Sequence, residues 1–142
     1  MSITKQEIFK GCQLINIPCI KEDRGNLCYL QEDETLPLNI RRVFWIYDIP
    51  ENAERGGHAH RSCSELVFVV KGSFDIYVNN GKDEKTIHCD NPNLGIFIDV
   101  NVWCCLKNFE PGTICMVVAS DKYDASGYIN NFEDFLKINH DH

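Results

Sequence analysis

Short runs of β-branched and aromatic residues, separated by turn-forming residues, fill most of this sequence. Residues 42–47 (RVFWIY) and 65–70 (ELVFVV) are the clearest runs, and such residues favour extended strands. The stretch at 79–82 (NNGK) is typical of a tight hairpin, because Asn and Gly tolerate the positive φ that hairpin turns need. Further strands are predicted over residues 13–17, 26–30, 74–78, 86–88, 95–98, 102–106 and 113–119. Many short strands with regular turns predict an all-β sandwich or barrel.

The C-terminal region shows a helical spacing of apolar residues. Tyr128, Phe132, Phe135 and Leu136 recur at that spacing, so a short C-terminal helix is predicted. No linker or repeat interrupts the chain, and residues 1–142 are predicted to form a single domain. The barrel and the helix are expected to cover about residues 12–136, with residues 137–142 (KINHDH) as a frayed tail.

Net charge, hydropathy and cysteine content indicate which binding partners and which cellular compartment to expect for this chain. A formal net charge of −7 argues against a broad nucleic-acid-binding surface. The sequence has no apolar run long enough to span a bilayer, and its first residues (MSITKQEIFKG) lack the apolar segment of a signal peptide. We therefore expect a cytoplasmic protein that binds neither nucleic acid nor membrane. The eight cysteines are accordingly expected to be reduced thiols.

A histidine pair lies in the segment 55–60 (RGGHAH), with Glu65 and a glycine further on. Alternate residues of a strand share a face, so His58 and His60 are predicted to point the same way. Their spacing resembles the first cupin motif, in which HxH is followed by Glu and Gly. The resemblance implies a single cupin domain, that is, a double-stranded β-helix or jelly-roll barrel. At the position of the third histidine, in the second cupin motif, this chain has Cys104.

From about residue 18 onward, several longer stretches of the sequence resemble a narrower family of cupins. They include RVFWIYDIP, RGGHAHR, GSFDIYVNNG and, most distinctively, ASDKYD followed by GYI. In these strings the chain resembles the dTDP-sugar 3,4-ketoisomerases, which are WxcM-like, RmlC-like cupins. The resemblance implies an isomerase that moves the carbonyl of a dTDP-4-keto-6-deoxyhexose from C4 to C3 in deoxysugar and surface-polysaccharide biosynthesis. It further implies a homodimer that needs no metal and no other cofactor.

The implied reaction assigns roles to particular residues. It needs a base at C3 and an acid at C4, and histidine suits both tasks because its pKa lies near neutral pH. By resemblance, His58 is the expected base and His60 its partner in proton transfer. Tyr47 is predicted to donate a hydrogen bond to the sugar or to the enediolate. The residues predicted to bind the substrate are Arg24, Arg42 and Arg55 at the diphosphate, Trp103 stacked on the sugar or base, and Asn108.

Two other functions remain open from the residues. One is a metal-binding cupin, because imidazole, carboxylate and thiolate groups are all competent metal ligands. Its ligands are predicted to be His58, His60, Glu65 and Cys104. The other is a non-catalytic module that binds a sugar nucleotide in the same pocket. The chain also departs from the usual family pattern, with Glu65 where Gln is common, Cys104 where His is common, and Asn130 where Arg is common.

Overall fold

The computed structural model describes residues 4–140 of the chain, and this part is built mainly of strands. They are β1 (Thr4–Phe9), β2 (Cys12–Asn16), β3 (Cys19–Glu22), β4 (Gly25–Cys28), β5 (Arg42–Ile46), β6 (Arg55–His60), β7 (Glu65–Lys71), β8 (Phe74–Asn79), β9 (Glu84–Cys89), β10 (Leu94–Ile98), β11 (Trp103–Lys107), β12 (Ile114–Ala119) and β13 (Tyr128–Ile129). A 3₁₀ turn at Ala125–Gly127 precedes β13, and the helix α1 (Phe132–His140) follows it.

Two antiparallel sheets face each other and form the barrel. One has six strands in the order β1-β2-β10-β7-β12-β5, and the other has five in the order β13-β6-β11-β8-β9. From β5 onward the chain passes back and forth between the two sheets, so strands that are neighbours in space are mostly distant in sequence. This arrangement is the predicted jelly roll, and the all-β prediction is confirmed. A separate hairpin, β3–β4, belongs to neither of the two sheets.

The principal hydrophobic core lies between the two sheets. On β8 the alternate residues Phe74, Ile76 and Val78 are fully buried, and Val67 and Val117 meet them from the six-stranded sheet. Full burial of such a side chain stabilises the fold by roughly 1.5–3 kcal/mol relative to exposure. The alternation in the sequence therefore predicted which face of these strands is buried.

A second cluster lies under helix α1, on the outer face of the five-stranded sheet. Phe135 is fully buried there and packs against Trp103, with ring centroids 5.7 Å apart, and Ala59 joins the same cluster. The side-chain oxygen of Asn131 accepts a hydrogen bond from the Asp134 amide at 3.1 Å, which caps the start of the helix. The predicted helix is thus confirmed and held by apolar contacts.

The limits of that helix differ from the prediction. Tyr128, which shares the helical spacing of Phe132 and Phe135 in the sequence, lies in β13 and pairs with His60. The helix continues through residues 137–140, which were expected to belong to the tail, because Asn139 donates to the Phe135 carbonyl and its side chain lies close to Gly81. His142 lies outside the described residues.

Besides β13, the strands β1 and β3 were not predicted, and both lack a regular alternation of apolar residues. β1 (TKQEIF) and β3 (CIKE) carry polar residues and are largely exposed, so neither shows a clear alternation. β1 is an edge strand whose pairing with β2 follows from the turn at Gly11, which has φ +93°. Between residues 4 and 140, α1 is too short and too polar to cross a membrane, and no other segment is a helix that could do so.

Candidate active site

The histidine pair lies on β6, just after a bulge that two glycines make possible. Gly56 and Gly57 have φ values of +83° and +72°, and the register with β11 shifts between Cys104 and Cys105. A Cβ at Gly56 would lie 3.0 Å from the Cys104 carbonyl oxygen. Glycine is therefore required for both the backbone conformation and the close approach. The bulge sets the direction in which His58 leaves the strand.

Alternation along β6 places the two histidines away from helix α1. Ala59 is fully buried in the cluster beneath that helix. His60, on the opposite face, reaches across to Glu65 at the start of β7 in the other sheet. His58 lies beside His60, with the ring centroids 4.8 Å apart and the rings at 80° to each other. The predicted shared face of His58 and His60 is thus what brings them together.

A third ring completes this cluster. Tyr128 pairs with His60 across the β6–β13 ladder, so its side chain lies on the same face of the sheet. Its ring centroid is 4.6 Å from that of His58 and 4.5 Å from that of His60. Tyr128 was not predicted as a site residue. The sequence signal for it is the string GYI, which is one of the strings that carry the family resemblance.

A buried carboxylate orients His60. His60 Nε2 lies 3.1 Å from Glu65 Oε1, and each side chain is less than one-tenth exposed. When the Glu65 carboxylate is ionised it can only accept a hydrogen bond, and His60 Nε2 then carries the proton of this contact. In the neutral form of His60 the lone pair is then on Nδ1. Glu65 thus selects the tautomer and the direction of the ring.

His58 is held in its neutral form. Burial lowers the pKa of His58 below its ordinary value of 6.5. Electrostatic repulsion between His58 and the neighbouring His60 lowers it further. Glu65 and a hydrogen bond with the Gly56 backbone act in the opposite sense but are weaker. At neutral pH, His58 therefore has a free lone pair and can accept a proton.

A cavity of about 330 Å³ opens next to these rings. His60, Tyr128, Arg42, Asp121 and Tyr123 are among its lining residues. His58 is not one of them, but its ring contacts those of His60 and Tyr128. The volume falls within the usual range for small-molecule sites.

Arg42 contributes a positively charged guanidinium to this cavity. Its guanidinium lies 5.1 Å from the ring centroid of Phe44 and 5.8 Å from that of Tyr123. Its Nε is buried, and among the described residues no acceptor meets it. A buried donor without an acceptor costs free energy. An anionic ligand in the cavity can supply the acceptor. Arg42, one of the residues predicted to bind the substrate, thus lies at the cavity.

Three of the four predicted metal ligands converge. The ligand atoms of His58, His60 and Glu65 all lie within 4.8 Å of one another, and within residues 4–140 this group forms without Cys104. Cys104 pairs with His58 through the backbone, but its side chain belongs to the barrel core. Burial raises the pKa of the Cys104 thiol well above its ordinary value, and the nearby Glu65 carboxyl raises it further. The thiolate form that a metal would need is therefore disfavoured.

Tyr47 and Trp103 are not placed at the cavity. Tyr47 follows β5 on the same face as Val43 and Trp45, and it is 58% exposed on the outer side of the six-stranded sheet. Phe44 occupies the inward face of that strand. Trp103 is buried against helix α1, with its ring centroid 5.1 Å from that of Phe132. The predicted roles of Tyr47 in catalysis and of Trp103 in stacking are therefore not supported within this chain.

The remaining predicted substrate-binding residues also lie elsewhere. Arg55 is exposed at the start of β6 and does not line the cavity. Arg24 is at the tip of the β3–β4 hairpin, where its side chain is 91% exposed and bonds to Glu22 at 3.1 Å. Asn108 has φ +56° and donates to Asp75 at 2.9 Å, beside a different cavity of about 590 Å³. Of the three predicted arginines, only Arg42 lines the histidine cavity.

Comparison with protein families gives a match over nearly the whole chain. The family FdtA, described as WxcM-like, C-terminal, matches residues 10–140. The TDP-4-oxo-6-deoxy-alpha-D-glucose-3,4-oxoisomerase of Aneurinibacillus thermoaerophilus is 31% identical over 125 residues, which cover 88% of this chain and 90% of that protein. The predicted family resemblance is therefore confirmed.

Solved structures agree with this match. The TDP-quinovose 3,4-ketoisomerase WlaRB of Campylobacter jejuni is 38% identical, with a TM-score of 0.86 over 91% of this chain and 99% of that one. QdtA, a sugar 3,4-ketoisomerase of Thermoanaerobacterium thermosaccharolyticum solved in complex with TDP, is 26% identical, with a TM-score of 0.89 over 94% of this chain and 98% of that one. The predicted RmlC-like cupin fold is confirmed.

Proposed function

This chain belongs to the FdtA family, WxcM-like, C-terminal, and on that premise we propose that it is an isomerase that moves the carbonyl of a TDP-linked 4-keto-6-deoxy sugar from C4 to C3. The relatives described above bear the names of 3,4-oxoisomerases and 3,4-ketoisomerases. One of them was solved with TDP, which supports a thymidine nucleotide as the carrier of the sugar.

The observation that carries this proposal is the pair of imidazoles with different environments. His58 is neutral because burial lowers its pKa, and it packs against His60 with ring centroids 4.8 Å apart. His60 is oriented by Glu65 at 3.1 Å. Two neighbouring titratable groups in different environments are what an enzyme needs to take a proton and return one.

The proton path follows from these environments. His58 accepts the proton from C3, and the electron pair of the broken C–H bond forms the C3–C4 double bond of an enediol while the C4 oxygen gains a proton. His60, next to both His58 and the cavity, supports this transfer to oxygen. The C3 hydroxyl then loses its proton, C3 becomes the carbonyl, and a proton returns to C4. Hydrogen moves from C3 to C4 without net oxidation, so we propose that no metal or other cofactor is needed.

Arg42 and Tyr128 are proposed to hold the substrate. Arg42 lines the cavity and its buried Nε has no acceptor among the described residues, so its guanidinium suits the diphosphate of the nucleotide. Tyr128 lies against both histidine rings and shields them from water on that side. A low-dielectric environment strengthens the interactions that stabilise the enediolate charge.

Incubation with TDP-4-keto-6-deoxyglucose in heavy water tests the reaction. We expect a product with the carbonyl at C3 and deuterium in the ring, detected by NMR. A protein that binds the sugar nucleotide without any change to it would instead support the non-catalytic module. Binding is measured separately by calorimetry with the same nucleotide sugar, so lack of turnover is not confused with lack of binding.

Metal binding is a second candidate function, favoured by one observation. His58, His60 and Glu65 present two imidazole nitrogens and a carboxylate within 4.8 Å of one another, and this donor set suits a divalent transition metal. A bound ion would take the lone pair of His58, which could then not act as the base. The test is metal analysis of protein purified without a histidine tag, with activity measured in excess EDTA. Stoichiometric metal together with loss of activity in EDTA would replace the metal-free proposal.

A homodimer is proposed from the outer face of β5, an edge strand of the six-stranded sheet. Val43, Trp45 and Tyr47 are about half exposed there, and an exposed apolar strand at a sheet edge is a surface that proteins normally cover. We expect light scattering to show a dimer at micromolar concentration and Trp45→Lys to shift it to the monomer. A monomeric wild-type protein would contradict the proposed dimer.

The described cysteines are free thiols, which suits the cytoplasm as the proposed location.

A further inference from the structure

Two cysteines face each other across the β3–β4 hairpin, outside the proposed active site. Cys19 and Cys28 are direct partners in the antiparallel register of this hairpin. Cys28 is exposed and Cys19 is half-buried, so small reagents can reach the pair.

The hydrogen bonding of the hairpin places these cysteines at the kind of position where a cross-strand disulfide fits. The Tyr29 amide donates to the Pro18 carbonyl at 3.1 Å, so Pro18 and Tyr29 form a hydrogen-bonded pair. Pairs alternate along an antiparallel ladder, which makes Cys19 and Cys28 a non-hydrogen-bonded pair with Cα atoms about 4.5 Å apart. Disulfides span Cα separations of about 4.4–6.8 Å. A bond between the two sulfurs therefore needs little movement of the backbone.

The two thiols already contact each other. The pKa of the Cys28 thiol is raised first by its partial burial and next by a hydrogen bond with the Cys19 thiol. Three other cysteines are poor competitors, because burial raises the pKa of Cys12, Cys89 and Cys115 to about 12. Oxidation of these three buried thiols is thus disfavoured.

In the reduced form, Cys28 also connects the hairpin to a neighbouring turn. Its Sγ donates to the side-chain oxygen of Asn93 at 2.9 Å. The Asn93 carbonyl accepts a hydrogen bond from the Ile17 amide at 2.7 Å, just before the hairpin. Cys28 and Asn93 both line a cavity of about 800 Å³ between the hairpin and the outer face of the six-stranded sheet. A cysteine in a disulfide has no S–H, so it cannot make the bond to Asn93.

We propose that Cys19 and Cys28 form a reversible disulfide that staples the base of the hairpin and releases it from Asn93. The oxidant is a low-molecular-weight disulfide, with oxidised glutathione as the probe. One cysteine thiolate attacks a glutathione sulfur, which gives a mixed disulfide and one reduced glutathione. The second cysteine then displaces the second glutathione, and the two thiol protons pass to the two glutathione thiolates. Two cysteines are oxidised and one glutathione disulfide is reduced.

Intact-mass spectrometry after incubation with oxidised glutathione tests the bond. We expect the wild-type protein to lose the mass of two hydrogens and to regain it with a reducing agent. Cys19→Ser and Cys28→Ser should instead gain one glutathione at the remaining cysteine. Cys105→Ser is the matched control, since Cys105 is also half-buried but pairs with Gly56 and Tyr77 rather than with a cysteine. It should behave as the wild type.

Peptide mapping and amide exchange complete the test. Tryptic digestion without reduction should join peptides 11–21 and 25–41, with fragmentation placing the bond at Cys19 rather than at Cys12. Exchange of the Ile17 amide should be about fivefold faster in the oxidised protein, as expected from the loss of one nearby hydrogen bond. Loss of two hydrogens in Cys19→Ser, or stable glutathione adducts without a disulfide in the wild type, would overturn the proposed bond. A disulfide with unchanged exchange at Ile17 would overturn the release from Asn93. None of these measurements depends on turnover.

Discussion

Replacement of His58 by Asn removes the proposed base while keeping a polar side chain of smaller size. The substitution leaves the glycine bulge before it and the His60–Glu65 contact after it in place. What is lost is the imidazole lone pair and the ring contacts with His60 and Tyr128, whose centroids lie 4.8 and 4.6 Å away. The variant therefore tests the base directly.

The expected loss of rate follows from the role of the ring. A positioned acid–base group contributes about 10²–10⁴-fold to rate, and each factor of ten corresponds to about 1.4 kcal/mol in the barrier. His58→Asn should therefore raise the barrier by about 3–5 kcal/mol. Nucleotide binding should change little, because Arg42 rather than His58 is the proposed diphosphate ligand.

The pH profile gives the second part of the assay. His58 must be neutral to accept a proton, and its pKa lies below 6.5 because of burial and of the nearby His60. We expect kcat/KM of the wild type to be constant above pH 6.5 and to fall at lower pH as His58 becomes protonated. The residual activity of His58→Asn should lack this fall. Turnover is followed by NMR and TDP binding by calorimetry.

His88→Asn is the matched control, because His88 is exposed on β9 and bonds to Asp75 at 2.7 Å, away from the cavity. It should retain the wild-type rate. A rate for His58→Asn within a few-fold of the wild type would refute the assignment of the base. Equal losses in His58→Asn and His88→Asn would show that the effect is not specific to the site.

Three further predictions concern stability and binding. The lowered pKa of His58 means that between that pKa and 6.5 the unfolded chain binds more protons than the folded one. The free energy of unfolding should therefore rise with pH through this window, so that stability is lost as the pH falls, and the change should be smaller in His58→Asn. His88 acts in the opposite sense because Asp75 raises its pKa, so chemical denaturation is best compared in a His88→Asn background. Phe135→Ala should destabilise the fold by about 3–5 kcal/mol in urea unfolding, because it empties the fully buried contact with Trp103; a loss below 1 kcal/mol would contradict that packing. Arg42→Gln should weaken TDP binding by about 10–100-fold in calorimetry, as for loss of a charged hydrogen bond, and unchanged binding would remove Arg42 from the site.

Most of the strands were predictable because the alternation of apolar and polar residues reflects which side chains are buried. β8 and β10 fill the barrel with apolar residues at every second position or in continuous runs, and the sequence shows both. β1 and β3 were missed because most of their residues are exposed, so neither strand shows a clear alternation of apolar residues. The histidine pair was also predictable, since residues two apart on a strand share a face whatever the sheet packs against.

The partners of that pair were harder to predict, because they come from distant strands. Tyr128 reaches His60 through the β6–β13 ladder, and its apolar spacing to Phe132 resembled a helix. Arg42 reaches the cavity from β5 in the opposite sheet. Local spacing contains no information on which strands face each other across a barrel.

For β5, the sequence determined that Val43, Trp45 and Tyr47 share one face and that Arg42 and Phe44 share the other. It did not determine which face is turned inward, because both faces carry apolar residues. The tertiary structure decided this by pairing β5 with β12 at the sheet edge, which turned Phe44 into the core and left Tyr47 outside. The alternation of side chains between the two faces of a strand is a local property of the backbone, so it can be predicted from the sequence. The choice of the buried face depends on the total packing of two sheets, to which each strand contributes only a part.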